Sequence, residues 1–392
     1  MLEALDEWTE IVDNGGSVDV IYMDYQKAFD SVPHKRLLLK LEALGIKNKV
    51  LNWIKDFLTN RKQKVLVNGV ESTARDVTSG IPQGSVLGPI LFVSYINDLP
   101  REVKTTAKLF ADDTKLYTRS DNEEGPKELQ EDLDSLQEWS NKWLLKFHPL
   151  KCCVLKVGGE NNNKYHMTQR NADGSANIIQ LATTTKEKDL GVVVDNKLSF
   201  NEHIAQATSK ANRICGLIRR SFDFLSEDMF VTLFKSLVRP LLEYGHCIWQ
   251  PSEKGLCSEL ENVQRRATRM LSHLKELSYP ERLKRLKLPT LEFRRLRGDM
   301  IEVFKYMNGF YDVEKPEFKL ATTTHLRGHP QKLQKQQCKK RLRSNFFTNR
   351  INSTWNSLPE AVISASTVNT FKSRLDAHWK NLPLIFHPSC QN

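Results

Sequence analysis

Apolar residues recur along the chain at two spacings, and the elements follow from where one spacing gives way to the other. The short apolar run at residues 17–23, with Val18, Val20 and Ile21, predicts a buried strand that ends near Asp24. Pro33 then opens a helix carrying Leu37, Leu38, Leu41 and Leu44, with Gly45 in the stop position. A second helix follows, with Val50, Leu51, Trp53, Ile54 and Phe57 as its apolar set. Residues 64–67 and 71–77 flank Asn68-Gly69, which supplies the positive φ angles of a type I′ turn, so they predict a hairpin. Residues 79–85 are a breaker-rich loop. The apolar stretch 86–96 predicts a buried helix with Pro89 in its first turns, and residues 108–117 predict a hairpin with Asp112 and Asp113 at its tip.

Further on, Leu129, Leu133, Leu136 and Trp143 place a helix over 127–146, and residues 152–157 return as a strand. The Gly- and Asn-rich segment 158–175 predicts a flexible insertion. Strand character resumes at 190–194. Beyond Phe200 the spacing turns helical, first with Ile204, Thr208, Ala211, Cys215 and Ile218, then with Phe230, Leu233, Phe234, Leu237 and Leu241. A basic stretch at 319–343 predicts a linker, and residues 346–379 a small helical end piece. There is no internal repeat.

Composition narrows the classes. Hydrophobic content of 40% supports a folded core. No apolar run reaches a membrane span, and the acidic first ten residues lack the layout of a signal peptide, so the expectation is an intracellular protein, nuclear or cytoplasmic, with no membrane partner. The seven cysteines show no metal-binding spacing, and reduced thiols are expected. The net charge of +11 is uneven: residues 1–200 hold 26 Lys+Arg against 29 Asp+Glu, and residues 201–392 hold 32 against 18. The second half therefore predicts a polyanion-binding surface, with clusters at Arg265-Arg266, Arg282-Lys284-Arg285-Lys287, Arg294-Arg295-Arg297 and Lys339-Lys340-Arg341-Arg343.

The candidate chemistry lies in the first half. Asp112 and Asp113 in Phe110-Ala111-Asp112-Asp113 concentrate charge at a hairpin tip, and Asp24 closes an upstream strand. Three carboxylates meeting at one point would hold a divalent cation, and phosphoryl transfer is the chemistry such sites serve.

These blocks, with Gly80-Ile81-Pro82-Gln83-Gly84-Ser85-Val86-Leu87-Gly88-Pro89, Ile96-Asn97-Asp98-Leu99-Pro100, Val238-Arg239-Pro240-Leu241-Leu242-Glu243-Tyr244-Gly245 and Trp355-Asn356-Ser357-Leu358-Pro359, make the chain resemble the reverse transcriptases of LINE-type, non-LTR retrotransposons. The resemblance implies an α+β fold: a right-hand palm, an antiparallel sheet backed by helices, with partial fingers over residues 1–157, then the insertion and primer-grip strands at 158–200. A helical thumb at 201–318, the basic linker at 319–343 and a helical region at 344–392 complete it. It implies RNA-directed DNA polymerisation, with an RNA template, a DNA primer and deoxynucleoside triphosphates as partners, and two magnesium ions, or manganese in their place. Asp24, Asp112 and Asp113 would be the catalytic and metal-holding residues, with the Tyr25 carbonyl as an extra ligand. Phe29 would exclude the ribose 2′-hydroxyl, Gln83 and Gly84 would pack against the incoming nucleotide, and Lys151 would protonate pyrophosphate as a general acid. Leu190 and Gly191 would form the primer grip. Trp249, Trp355 and Trp379 are expected in the core rather than stacked on bases.

Relative to that family the chain is expected to be truncated at its N-terminus, with most of the fingers and the endonuclease missing and little unaided activity as a result. The alternative is a retroelement-derived protein that binds nucleic acid without catalysis.

Overall fold

Strand β1 (Val18–Met23) is the centre of a five-stranded sheet in the computed structural model, which describes residues 1–170, 175–313, 316, 318–321 and 329–389. The sheet belongs to one of two compact units, Gly15–Glu187; the other joins Met1–Asn14, with helix α1 (Leu2–Asp13), to Lys188–Asn392. The expected boundaries at 157/158 and 200/201 are thus replaced by one at 187/188, and the N-terminal helix groups with the C-terminal half.

In the first unit, β1 pairs antiparallel with β3 (Asp113–Arg119) on one side and β4 (Cys153–Val157) on the other. β2 (Thr106–Phe110) pairs antiparallel with β3 at one edge, and β5 (Ala182–Thr184) runs parallel to β4 at the other. Alternation sets the faces. Ile21 lies opposite both Leu116 and Val154, and all three join a core supplied by helices α2 (His34–Ala43), α3 (Asn48–Leu58), α4 (Leu87–Ile96) and α5 (Glu124–Trp143). From α5, Leu129, Leu133 and Leu136 are fully buried at helical spacing, each contributing about 1.5–3 kcal/mol by burial. The unit is α+β, as expected.

Several details differ from the sequence reading. Of the apolar set on α3, Ile54 is buried but Val50 and Trp53 are exposed. Helix α4 buries Leu91, Phe92, Tyr95 and Ile96 yet leaves Ile90 and Val93, with Val86 before it, in solvent, so it is apolar all round without being buried all round. The Asn68-Gly69 hairpin forms with both turn residues at positive φ, but as two short ladders with every strand residue exposed.

The expected flexible insertion at 158–175 is instead ordered wherever it is described, and residues 171–174 lie outside the described residues. Asp19 is fully buried on β1, and its carboxylate accepts from Asn161 Nδ2 (2.8 Å), Asn163 Nδ2 (3.0 Å) and Tyr165 Oη (2.8 Å). A buried carboxylate demands such donors, so these asparagines are ligands of Asp19 and not turn formers. Residues 166–170 then pair with 176–180, and Met167 is buried.

The second unit is mainly helical. Helix α6 (Asn201–Ser221) buries Ile204, Thr208, Ala211, Cys215 and Ile218 as the spacing predicts. In the next run the structure buries Phe230, Phe234, Val238 and Leu242, so the expected Leu237 and Leu241 give way to the residues after them. The cause is a π-helical turn at Phe234–Val238, whose one extra residue advances the downstream face by one position.

The expected linker at 319–343 is also not loose where it is described; residues 322–328 lie outside the described residues. His329 and Leu333 are buried, and Lys339 and Lys340 N–H groups donate to Asp13. Arg343 is buried against Asp6 at 2.6 Å. Helix α7 (Leu291–Met307) packs on α8 (Val368–His378) through stacked Phe304 and Phe371. The C-terminal helix α8 therefore shares a core with α7. Trp249, Trp355 and Trp379 are buried, in keeping with their expected core role.

Candidate active site

Hairpin β2–β3 ends in the pair Phe110 and Asp113, which leaves Ala111 and Asp112 as its two-residue turn. Ala111 adopts φ 52°, a left-handed conformation that costs a non-glycine residue about 1–2 kcal/mol. The antiparallel register ends with Met23 opposite Thr114, so Asp24 and Asp113 are the residues next beyond that last pair, at the ends of adjacent strands. Asp112 and Asp113 are exposed and Asp24 is half-exposed.

Segment 146–152 runs beside Asp24. Gln26 N–H donates to Lys146 O, and His148 N–H donates to Asp24 O, both at 2.8 Å. This pairing delivers Lys151, whose Nζ stands 3.7 Å from Asp24 Oδ2. It also sets Cys152 Sγ 3.5 Å from Asp24 N, where burial pushes the thiol pKa up to about 11 and keeps it a neutral thiol. Tyr25 is buried, stacked on Phe147 at 4.6 Å, with Oη 3.5 Å from Thr114 Oγ1; burial raises its phenol pKa further, and the Asp112 charge adds to the rise.

The three carboxylates were expected to converge on one point. The register brings Asp24 and Asp113 to the same sheet end, next beyond the Met23–Thr114 pair, with Asp112 in the adjoining turn, but among the described residues no three His, Cys, Asp or Glu side chains gather closely enough to hold a metal ion. Like charges repel, and Asp24 takes the Lys151 ammonium as its counter-charge. The donor set nevertheless fits a hard cation: three carboxylates, all reachable by solvent, at one sheet end.

The loop at 79–85 docks on the turn of helix Ala28–Ser31. Ile81 N–H donates to Phe29 O, Gly80 N–H to Val32 O, Ser79 Oγ to Asp30 O, and Gln83 Nε2 approaches Asp30 Oδ1 at 3.4 Å. Phe29 is half-buried and stacked on Phe92 at 4.5 Å. Gly84 has φ 81° with open space around it, whereas a Cβ at Gly80 would fall 2.7 Å from Asp30 O. Close backbone approach within the chain is therefore the duty of Gly80, which the sequence reading did not single out.

In the second unit, Leu190 (φ 44°) and Gly191 (φ 84°) form the turn between strands Lys186–Asp189 and Val192–Asp195. Tyr244 Oη donates to Leu190 O at 2.9 Å, and its ring lies against Gly191.

Residues 4–194 match the reverse transcriptase (RNA-dependent DNA polymerase) family. This part of the chain is a reverse transcriptase domain. The chain is 30% identical over 269 residues to the RNA-directed DNA polymerase from mobile element jockey of Drosophila melanogaster, covering 64% of this chain and 28% of that protein. It is 25% identical over 332 residues to the probable RNA-directed DNA polymerase from transposon X-element of the same species, covering 81% and 34%. It thus spans about a third or less of the length of these relatives, and the likeness to LINE-type reverse transcriptases stands. Among solved structures it is similar to a telomerase from Candida tropicalis, solved with a fragment of telomeric RNA, at 10% identity and TM-score 0.35, covering 70% of this chain and 52% of that one.

Three features of the chain escaped the sequence reading. Cys152 flanks Asp24, and only its adjacency to Lys151 signalled that. Asp98 accepts from Lys40 Nζ (2.6 Å) and Trp139 Nε1 (3.3 Å), which makes the 96–100 block a core anchor. The basic clusters are partly committed within the chain: Arg282, Arg295 and Arg343 are buried, and Arg285, Arg294 and Arg297 pair with Glu227, Glu243 and Asp376, while Arg266, Lys284, Lys287, Lys339, Lys340 and Arg341 stay exposed. As a polyanion surface those clusters are reduced, because arginine's five donors serve helix packing equally well. No helix among the described residues is long and apolar enough to cross a membrane.

Proposed function

We propose that this chain performs RNA-directed DNA synthesis, joining deoxynucleoside triphosphates to a DNA primer 3′-hydroxyl on an RNA template in the nucleus or cytoplasm. The observation that supports the reading is the β1–β3 register, whose last pair is Met23–Thr114, so that Asp24 and Asp113 follow that pair at the same sheet end as the Asp112 turn, within a reverse transcriptase domain. Asp24, Asp112 and Asp113, with the Tyr25 carbonyl, would hold two magnesium ions, or manganese; such ions acidify an attacking hydroxyl and neutralise the charge of a departing pyrophosphate.

The chain's own groups do the rest. Lys151, 3.7 Å from Asp24, would give a proton to the departing pyrophosphate. Phe29, backed by Phe92, presents a ring that leaves a ribose 2′-hydroxyl no room, and Gln83 with Gly84 forms the adjacent wall. Leu190 and Gly191 position the primer end.

Primer extension on an RNA template with magnesium tests the reading. Extension by the unchanged chain that is lost in Asp112→Asn supports it. Equal RNA binding with no extension by either would replace catalysis with nucleic-acid binding alone.

A further inference from the structure

Among the described residues of the second unit, Arg295 is a buried cation with idle donors. It is 1% exposed, yet its Nε and Nη1 have no hydrogen-bond partner. Glu261 lies within its field, but that carboxylate accepts from the Leu291 N–H at 3.0 Å and from Tyr279 Oη, and burial pushes it toward the neutral form. A buried guanidinium with idle N–H groups costs several kcal/mol unless something bonds them.

Arg295 lines a cavity of about 240 Å³ on α7, together with Arg294, Arg297, Lys305, Lys372 and His246. A Cβ at Gly298 would collide with the His246 ring, so this glycine is what lets the ring settle into the cavity wall. Three of the cations are neutralised. Arg294 is paired with Glu243 (Nη2–Oε2 2.8 Å), Arg297 with Asp376 (2.6 and 2.8 Å), and Lys305 with Glu302 (2.7 Å). Among the described residues, Arg295 and Lys372 have no such ion-pair partner. With the lining carboxylates Glu243 and Glu302 already taken by Arg294 and Lys305, a buried Arg295 and a half-buried Lys372 remain to receive an anion. The volume is below the roughly 300–1,000 Å³ of pockets that take drug-sized molecules, so it suits a single tetrahedral anion and not a whole nucleotide.

We propose that this cavity is a phosphate-group site, in which Arg295 donates from below and Lys372 closes over a free phosphate or the terminal phosphate of a nucleic-acid strand. The site lies within the second unit and does not rest on the polymerase reading.

The test is calorimetric titration of the full 392-residue chain with inorganic phosphate. One saturable site is expected, about tenfold weaker in Lys372→Gln and lost in Arg295→Gln. Because Arg295 is buried and its replacement risks the fold, Lys372→Gln, checked by circular dichroism, carries the decision. Competition by a 5′-phosphorylated trinucleotide but not by its 5′-hydroxyl counterpart assigns the site to strand ends, and competition by neither assigns it to the free anion. Absence of saturable binding in the unchanged chain, or a Kd in Lys372→Gln equal to that of the unchanged chain, overturns the proposal.

Discussion

His203 shows how much one ring can decide. It is buried, its ring tilted against that of Trp249, and its Nδ1 accepts the Val193 N–H at 3.3 Å, which fixes the neutral tautomer with the proton on Nε2. Burial, with Lys210 adding a smaller repulsion, lowers its pKa to about 4 from an ordinary 6.5. Between those values the unfolded chain binds a proton that the folded chain refuses, so stability falls as pH drops from about 6.5 to about 4. The full loss is about 3 kcal/mol at 1.36 kcal/mol per unit. Urea midpoints measured across that range check it: His203→Gln should flatten the dependence, and an unchanged slope would assign it to other groups. At the active site, Lys151→Met should slow primer extension by about 10²–10⁴-fold, the usual yield of a positioned acid, with primer binding intact. Single-turnover rates across pH read this out, and a wild-type rate would reduce Lys151 to a counter-charge for Asp24. Tyr165→Phe removes one of three donors to buried Asp19 and should destabilise the chain by about 1–3 kcal/mol, seen as a lower urea midpoint.

Among the elements, strands and hairpins were legible because alternation and turn chemistry are local. β1 and the Asn68-Gly69 turn needed nothing beyond their own residues. What stayed hidden depended on distant partners. The Asn-rich segment after residue 158 reads as loose until one knows that Asp19, well over a hundred residues earlier, is buried and needs its amides. The candidate site divides the same way: motif spacing marks Asp24, Asp112 and Asp113, but only the register puts Asp24 and Asp113 next to the same Met23–Thr114 pair, and only the pairing at 146–148 brings Lys151 to Asp24. The π-helical turn at Phe234–Val238 has no composition of its own, and the period of 3.6 mistook Leu237 and Leu241 for core. Since that turn is one residue inserted in a regular helix, deleting exposed Ser236 should restore the α-helix while keeping Val238 and Leu242 inward. The expected change in thermal midpoint is only a few degrees. A collapse of the fold would mean that the downstream helix had rotated and that the extra residue was needed.

For the whole molecule, charge is where sequence and structure part most clearly. A surplus of +14 in residues 201–392 reads as a polyanion surface, yet the structure spends arginines of those clusters on its own carboxylates, most deeply where Arg343 meets Asp6 with 4% and 8% of their side chains exposed. Sequence cannot separate the two uses, since a helix-packing arginine and a phosphate-binding one share the same spacing. Salt dependence can. Each phosphate contact contributes about −0.9 to the slope of log K against log salt for duplex binding. Replacing exposed Lys284 and Arg341 with Gln should therefore make the slope shallower by about 2 if both touch phosphate, with no loss of stability. Arg343→Met should do the reverse. It leaves the slope unchanged but strands the Asp6 carboxylate, for a loss of about 3–5 kcal/mol in urea denaturation. Fluorescence anisotropy with a duplex at several salt concentrations, beside the unfolding curves, distinguishes the classes. A shallower slope with full stability in Arg343→Met would return that arginine to the nucleic-acid surface and undo the assignment of the cluster to the core.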